Sequence, residues 1–119
     1  MRIIILTLSL LFAAVTTSNA FAHAMLDHAA PRVGSTVAQS PKEVVLWFTE
    51  KLEPAFSSIE VRDAQGMVVT TGKATVIGNR TQLRVPLKTL SPGTYKVIWR
   101  VLSVDTHRTE GNFTFNVGK

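Results

Sequence analysis

Between residues 43 and 117 apolar and polar side chains alternate with a period of two, broken by clusters of Gly, Pro, Asn, Asp and Ser. That alternation puts successive side chains on opposite faces of an extended chain. EVVLWF (Glu43–Phe48) is apolar on both faces and predicts an interior strand. In SSIEVRD, Ile59 and Val61 share one face while Glu60 and Arg62 share the other. DAQG (Asp63–Gly66) predicts a turn, since Asp suits its first position and Gly its last. MVVTTG is expected to pair back as the second arm of that hairpin. Gly78-Asn79 predicts another reversal ahead of TQLRVPL, where Leu83, Val85 and Leu87 share a face. SPG (Ser91–Gly93) leads into TYKVIWRVLS, the longest expected strand. Tyr95, Val97, Trp99 and Val101 line one of its faces, and Lys96, Ile98 and Arg100 the other. GNFTFNV closes the pattern, with Phe113, Phe115 and Val117 alternating with Thr114 and Asn116. No helical period occurs in this region. Short strands with regular turn signals predict an all-β fold, a single small sandwich or Greek-key barrel.

The first residues follow another rule. Arg2 precedes an apolar run from Ile3 to Val15, interrupted by Thr7 and Ser9, and Ala20-Phe21-Ala22 forms a small-x-small triplet. A positive start, a short apolar run and an A-x-A site describe a secretory signal peptide. The run is too short for a comfortable bilayer span, which takes about 20 apolar residues. Residues 1–22 are therefore expected to be removed by cleavage between Ala22 and His23, leaving one domain over 23–119. Its first residue would be a histidine with a free α-amine.

Composition narrows the function. The formal net charge of the 119-residue chain is +5, but the basic residues stand singly among apolar ones and form no run or stripe. Nucleic acid is therefore not an expected partner. Cysteine is absent. The exported domain must stand on its packed core, without disulfides. A thiolate nucleophile, a Cys-rich zinc site and a blue-copper centre are excluded as well. Any bound metal must take nitrogen, oxygen or thioether donors.

The three histidines are His23, His28 and His107. Asp105 stands two positions before His107, and in extended backbone positions i and i+2 project to the same side. An Asp-Thr-His at a strand end equally fits a turn cap with a surface imidazole. His23 adds the more specific chemistry. A chain-terminal histidine offers an α-amine and a ring nitrogen that close a chelate on one ion. With Asp105 and His107 the set becomes three nitrogens and one oxygen, which suits tetragonal Cu(II) better than soft Cu(I).

The processed chain resembles the CopC-like family of periplasmic copper-resistance and copper-carrier proteins. The likeness is carried by HAML at the new start, PRVGSTV (Pro31–Val37), VVLWFTEKLE (Val44–Glu53) and SPGTYKVIWRVLSVDTHRTEGNFTFNV (Ser91–Val117). It implies a Greek-key barrel or sandwich of about seven strands, cupredoxin-like or immunoglobulin-like. It also implies a site for one Cu(II) ion, a periplasmic location and no enzymatic activity. Matched residue by residue, the ligands are His23, Asp105 and His107. Glu50, in FTE, corresponds to the acidic residue that supports the terminal amine. The usual partner of such proteins is an inner-membrane copper transporter, expected here to be a separate chain, and the processed domain is not expected to span a membrane. Some family members hold Cu(I) in a methionine-rich loop. The matching stretch, DAQGMVVTTGKATVIGNR, has only Met67, so a separate Cu(I) site is not expected. Met25 reads as a packing residue and His28 as an exposed imidazole.

Two other classes fit parts of the pattern. A terminal histidine chelate also serves copper mono-oxygenases, which need an open coordination position that Asp105 would fill. An immunoglobulin-like adhesion or assembly module would use no metal. Intact mass measurement of the exported protein should give the chain beginning at His23; a mass retaining residues 1–22 would contradict the leader.

Overall fold

The computed structural model describes residues 24–119. The leader, the cleavage site at Ala22 and the ligand assigned to His23 lie outside the described residues. Eight strands are formed within that span: β1 Leu26–Ala30, β2 Thr36–Val37, β3 Glu43–Phe48, β4 Ser58–Arg62, β5 Thr75–Ile77, β6 Gln82–Pro86, β7 Gly93–Leu102 and β8 Arg108–Val117. They make two four-stranded sheets, ordered β1-β3-β6-β5 and β2-β8-β7-β4. The architecture is a sandwich with open edges and not a closed barrel. Only β5–β6 and β7–β8 are neighbouring hairpins within one sheet. The other connections cross between sheets, so strands distant in sequence meet face to face.

The expected strands appear where period and burial agree. In β3, Val44, Leu46 and Phe48 enter the core. Val45 and Trp47 take the outer face, where Val45 is still buried. β3 is interior, hydrogen-bonded to β1 on one side and β6 on the other. In β7 the buried residues are Tyr95, Val97, Trp99 and Val101, and in β8 they are Phe113, Phe115 and Val117. The two inner faces close over each other through aromatic pairs. Phe48 meets Trp99 edge-on, with centroids 5.3 Å apart and planes at 72°. Tyr95 and Phe115 pair within one sheet at 5.6 Å. Dry contact of this kind removes apolar surface from water at about 25 cal/mol per Å².

Three expectations change in detail. MVVTTG forms only the first half of the expected hairpin arm, with Val68 bridged to Arg62. Met67 and Val69 pair back to Asp63 and Val61 (2.9 Å each), but Thr71 then donates to Pro86 and Lys88 to Val69, so the segment leaves β4 for the other sheet. Val69 is buried at this crossover, hydrogen-bonded to Val61 on one side and to Lys88 on the other. The last strand starts at Arg108, three residues before GNFTFNV, because Arg108, Thr109 and Glu110 continue the ladder with β7. The additional strand β2 is only two residues long and runs parallel to β8. A segment of that length carries no readable alternation.

The reversal at Gly78-Asn79 is formed, with φ of 49°, 22° and 64° at Gly78, Asn79 and Arg80. Arg80 holds this unfavourable conformation while its guanidinium donates to the Leu52 carbonyl at 3.3 Å and pairs with Glu53 at 3.5 Å.

Gly111 faces the core opposite Trp99, and a Cβ there would lie 2.5 Å from the indole ring. Gly111→Ala should therefore force the ring aside and cost about 1–3 kcal/mol, read as a lower urea midpoint with an unchanged m-value.

Candidate metal centre

β7 and β8 are joined by Ser103–His107, and this turn carries Asp105 and His107. It is closed by Ser103 N–H donating to the His107 carbonyl at 3.0 Å and Thr106 N–H donating to the Ser103 carbonyl at 2.9 Å. Thr106 sits at φ 71°, a left-handed conformation that costs a β-branched residue on the order of 1–3 kcal/mol. The turn is bolted to the β3–β4 connection. Val104 N–H donates to the Lys51 carbonyl at 2.9 Å, Glu53 N–H donates to the Leu102 carbonyl at 2.8 Å, and Ser103 bridges Leu52.

Within this frame Asp105 and His107 converge, but on a turn with Thr106 left-handed between them and not along the extended backbone that their spacing assumed. Asp105 Oδ2 lies 3.3 Å from His107 Nδ1. The other carboxylate oxygen, Oδ1, accepts from the Ser103 hydroxyl. That hydroxyl is the largest influence holding the Asp105 carboxyl below its ordinary pKa; desolvation opposes it, and the neighbouring His107 adds to the lowering. Asp105 thus stays an anionic donor into mild acid.

The segment ahead of β1 is drawn to the same end of the sandwich. Ala24 is fully buried, and its carbonyl accepts from the Thr109 hydroxyl at 2.8 Å, two residues beyond His107. Met25 exchanges two hydrogen bonds with Thr49: its N–H donates to the Thr49 hydroxyl and its carbonyl accepts from Thr49 N–H, each at 3.0 Å. Residue 24 is therefore tied to β8, and residue 25 to the residue before Glu50. Glu50 is half-buried in this connection and enters no ion pair among the described residues. The described residues hold no group of three or more His, Asp or Glu side chains suited to a metal ion. His23 is not among them.

Two side-chain expectations are refined. Met25 is not packed but 60 % exposed, because the buried Ala24 takes the inward position and turns its neighbour out. His28 is exposed as expected, yet it has partners. A register irregularity between Leu26 and His28 puts Asp27 and His28 together on the outer face. Asp27 Oδ2 then reaches His28 Nδ1 at 2.6 Å, and the imidazole stacks on Trp47 at 4.3 Å.

Sequence reasoning missed Ser103 and Thr109. A signal for Ser103 was present: the inward positions 95, 97, 99 and 101 are all apolar, and the next on that face is a serine with no exposed surface. Thr109 offered no such mark, since its partner is a backbone carbonyl 85 positions away.

Comparison with known proteins identifies the family and the fold. The CopC domain family matches residues 26–118. Protein YobA of Escherichia coli K12 is 37% identical over 112 residues, covering 92% of this chain and 90% of that protein. Copper resistance protein C of Xanthomonas campestris pv. juglandis is 34% identical over 123 residues, covering 98% and 96%. The crystal structure of CopC from Methylosinus trichosporium OB3b superposes with a TM-score of 0.75 at 38% identity, covering 81% of this chain and 94% of that one. With the family match spanning the whole sandwich, the chain belongs to the CopC domain family.

Proposed function

We propose that the protein binds one Cu(II) ion in the periplasm and serves copper resistance by buffering or delivering it, without enzymatic activity. The ligands in this reading are the α-amine and ring nitrogen of His23, the carboxylate of Asp105 and the imidazole of His107. The observation that carries it is the meeting of two independent constraints at one end of the fold. Asp105 and His107 face each other at 3.3 Å, and the Thr109–Ala24 hydrogen bond brings the residue after His23 to the strand that follows them. The peptide bond limits His23 Cα to about 3.8 Å from Ala24 Cα.

The donor set fits the ion. Two donors at right angles, each about 2.0–2.1 Å from a metal, stand about 2.9 Å apart. The observed 3.3 Å between Oδ2 and Nδ1 needs little adjustment to reach that spacing. Imidazole and carboxylate are borderline-to-hard donors that favour Cu(II) over Cu(I). Methionine would be needed for a soft site, and Met25 and Met67 cannot supply one together. Met25 stands at the Asp105 end of the sandwich, while Met67 follows the far end of β4, where Arg62 pairs with Lys96 at the start of β7. Glu50, one residue beyond the Thr49 that binds Met25, is suited to accept a hydrogen bond from the terminal amine.

A relative named for copper resistance over nearly its whole length supports this reading of the metal's identity. No helix among the described residues is long and apolar enough to cross a membrane. An oxygenase requires a position left open for oxygen, and an Asp105 carboxylate facing His107 at 3.3 Å would fill it.

One equivalent of Cu(II) should raise the melting temperature of the processed protein, since an ion bound only by the native state stabilises it by mass action. His107→Ala should abolish most of that rise. Asp105→Ala should weaken Cu(II) binding and also lower the metal-free melting temperature, since it leaves the buried Ser103 hydroxyl to donate only across 3.3 Å to the His107 carbonyl. A glycine inserted ahead of His23 should displace the amine and reduce affinity by at least the loss seen for Asp105→Ala. Unaltered binding in all three proteins would refute the ligand set. Copper-loaded protein given ascorbate and oxygen should cleave neither chitin nor cellulose; cleavage would identify an enzyme instead.

A further inference from the structure

We propose that Ser103 is the positioning residue of this site, its buried hydroxyl gripping one oxygen of Asp105 so that the other is presented beside His107 before any metal arrives. The inference rests on the copper-binding reading above and deepens it.

Ser103 has no exposed surface, although it sits at the end of a strand whose other inward residues are all apolar. An alanine would satisfy the core there. The hydroxyl instead turns toward the ligand-bearing turn. It donates to Asp105 Oδ1 and lies 3.3 Å from His107 N–H, from which it accepts. The backbone of the same residue closes the turn at both ends, its N–H donating to His107 and its carbonyl accepting from Thr106. One side chain therefore contacts both halves of the Asp-x-His pair.

The consequence follows from the carboxylate's two oxygens. Asp105 is exposed and would otherwise sample several rotamers, each of which must be lost on metal binding. With Oδ1 held by Ser103, the ordering cost is already met in the metal-free protein, and Oδ2 is left facing His107 Nδ1 at 3.3 Å. Coordination through Oδ2 alone then leaves the Ser103 hydrogen bond intact. Partners behind a ligand of this type commonly govern affinity about 10–100-fold.

A matched control exists in the same fold. Ser57 is the other buried serine among the described residues, and its hydroxyl accepts from Leu102 N–H at 3.3 Å with no contact to Asp105 or His107. The experiment compares Ser103→Ala, Ser103→Thr, Ser57→Ala and Asp105→Ala in the processed protein. Cu(II) affinity is measured by chelator competition, the spectrum by electron paramagnetic resonance, and side-chain order at Asp105 and His107 by NMR relaxation without metal. Ser103→Ala should lose about 10–100-fold in affinity, shift the copper spectrum, and mobilise both side chains in the metal-free protein. Ser103→Thr, which keeps the hydroxyl, should recover most of the affinity, and Ser57→Ala should match wild type in affinity and spectrum. Wild-type affinity, spectrum and side-chain order in Ser103→Ala, alongside weakened binding in Asp105→Ala, would overturn the positioning role and leave the copper reading standing. Wild-type binding in Asp105→Ala as well would overturn both.

Discussion

The antiparallel register between β7 and β8 governs this molecule. Gly93 pairs with Val117 at one end and Leu102 with Arg108 at the other, without a bulge between them. Because strand side chains alternate, a slip of one residue would turn Phe113, Phe115 and Val117 out to water and bring Thr114 and Asn116 into the core. The apolar cost of that exchange locks the ladder. A locked ladder in turn sets where its five-residue connection begins and ends. Ser103 is left facing inward, Asp105 and His107 are delivered at the tip, and Thr106 is forced into its left-handed conformation between them.

The proposed site thus borrows rigidity from elements that have no chemistry of their own. Its donors stand on a turn, yet the turn hangs from the two longest strands and is pinned to Lys51, Leu52 and Glu53 by backbone hydrogen bonds. The chain start is treated alike. Ala24 is buried and tied to Thr109, while Met25 is stitched to Thr49. Bringing residue 24 to a point 85 positions downstream is entropically expensive in a flexible chain. Here β1 pairs with β3 and the core covers Ala29, so that cost is met by folding. A metal held at this end would meet donors whose freedom has already been spent.

His28 shows how local irregularity redirects a side chain. In a regular strand Asp27 and His28 would point to opposite faces and could not touch. The irregularity in β1 puts both outside, where the imidazole lies flat on Trp47. The same stacking explains how Trp47, on the outer face of an interior strand, comes to be only half exposed. This region lies on the sheet surface, separate from the turn that carries Asp105 and His107.

Much of this was legible in the chain itself, for a physical reason. Period-two burial is a property of each strand separately, so the inner faces of β3, β7 and β8 could be read from Val44, Tyr95 or Phe115 without knowing their partners. Asp105 and His107 are two residues apart, and their convergence needed only local geometry. The departures share the opposite character. MVVTTG keeps its expected partner only as far as Val69 and from Thr70 on pairs with Pro86 and Leu87 instead. Met25 turned outward because Ala24 was buried first, and β2 exists only because β8 offered it an edge. Ser103 and Thr109 act through partners defined by the turn's closure and by the docking of the chain start. Alternation along the sequence determined which faces are apolar and which residues carry donors. Which faces meet, and which hydroxyl stands behind which ligand, depend on contacts between distant segments that only the closed sandwich creates.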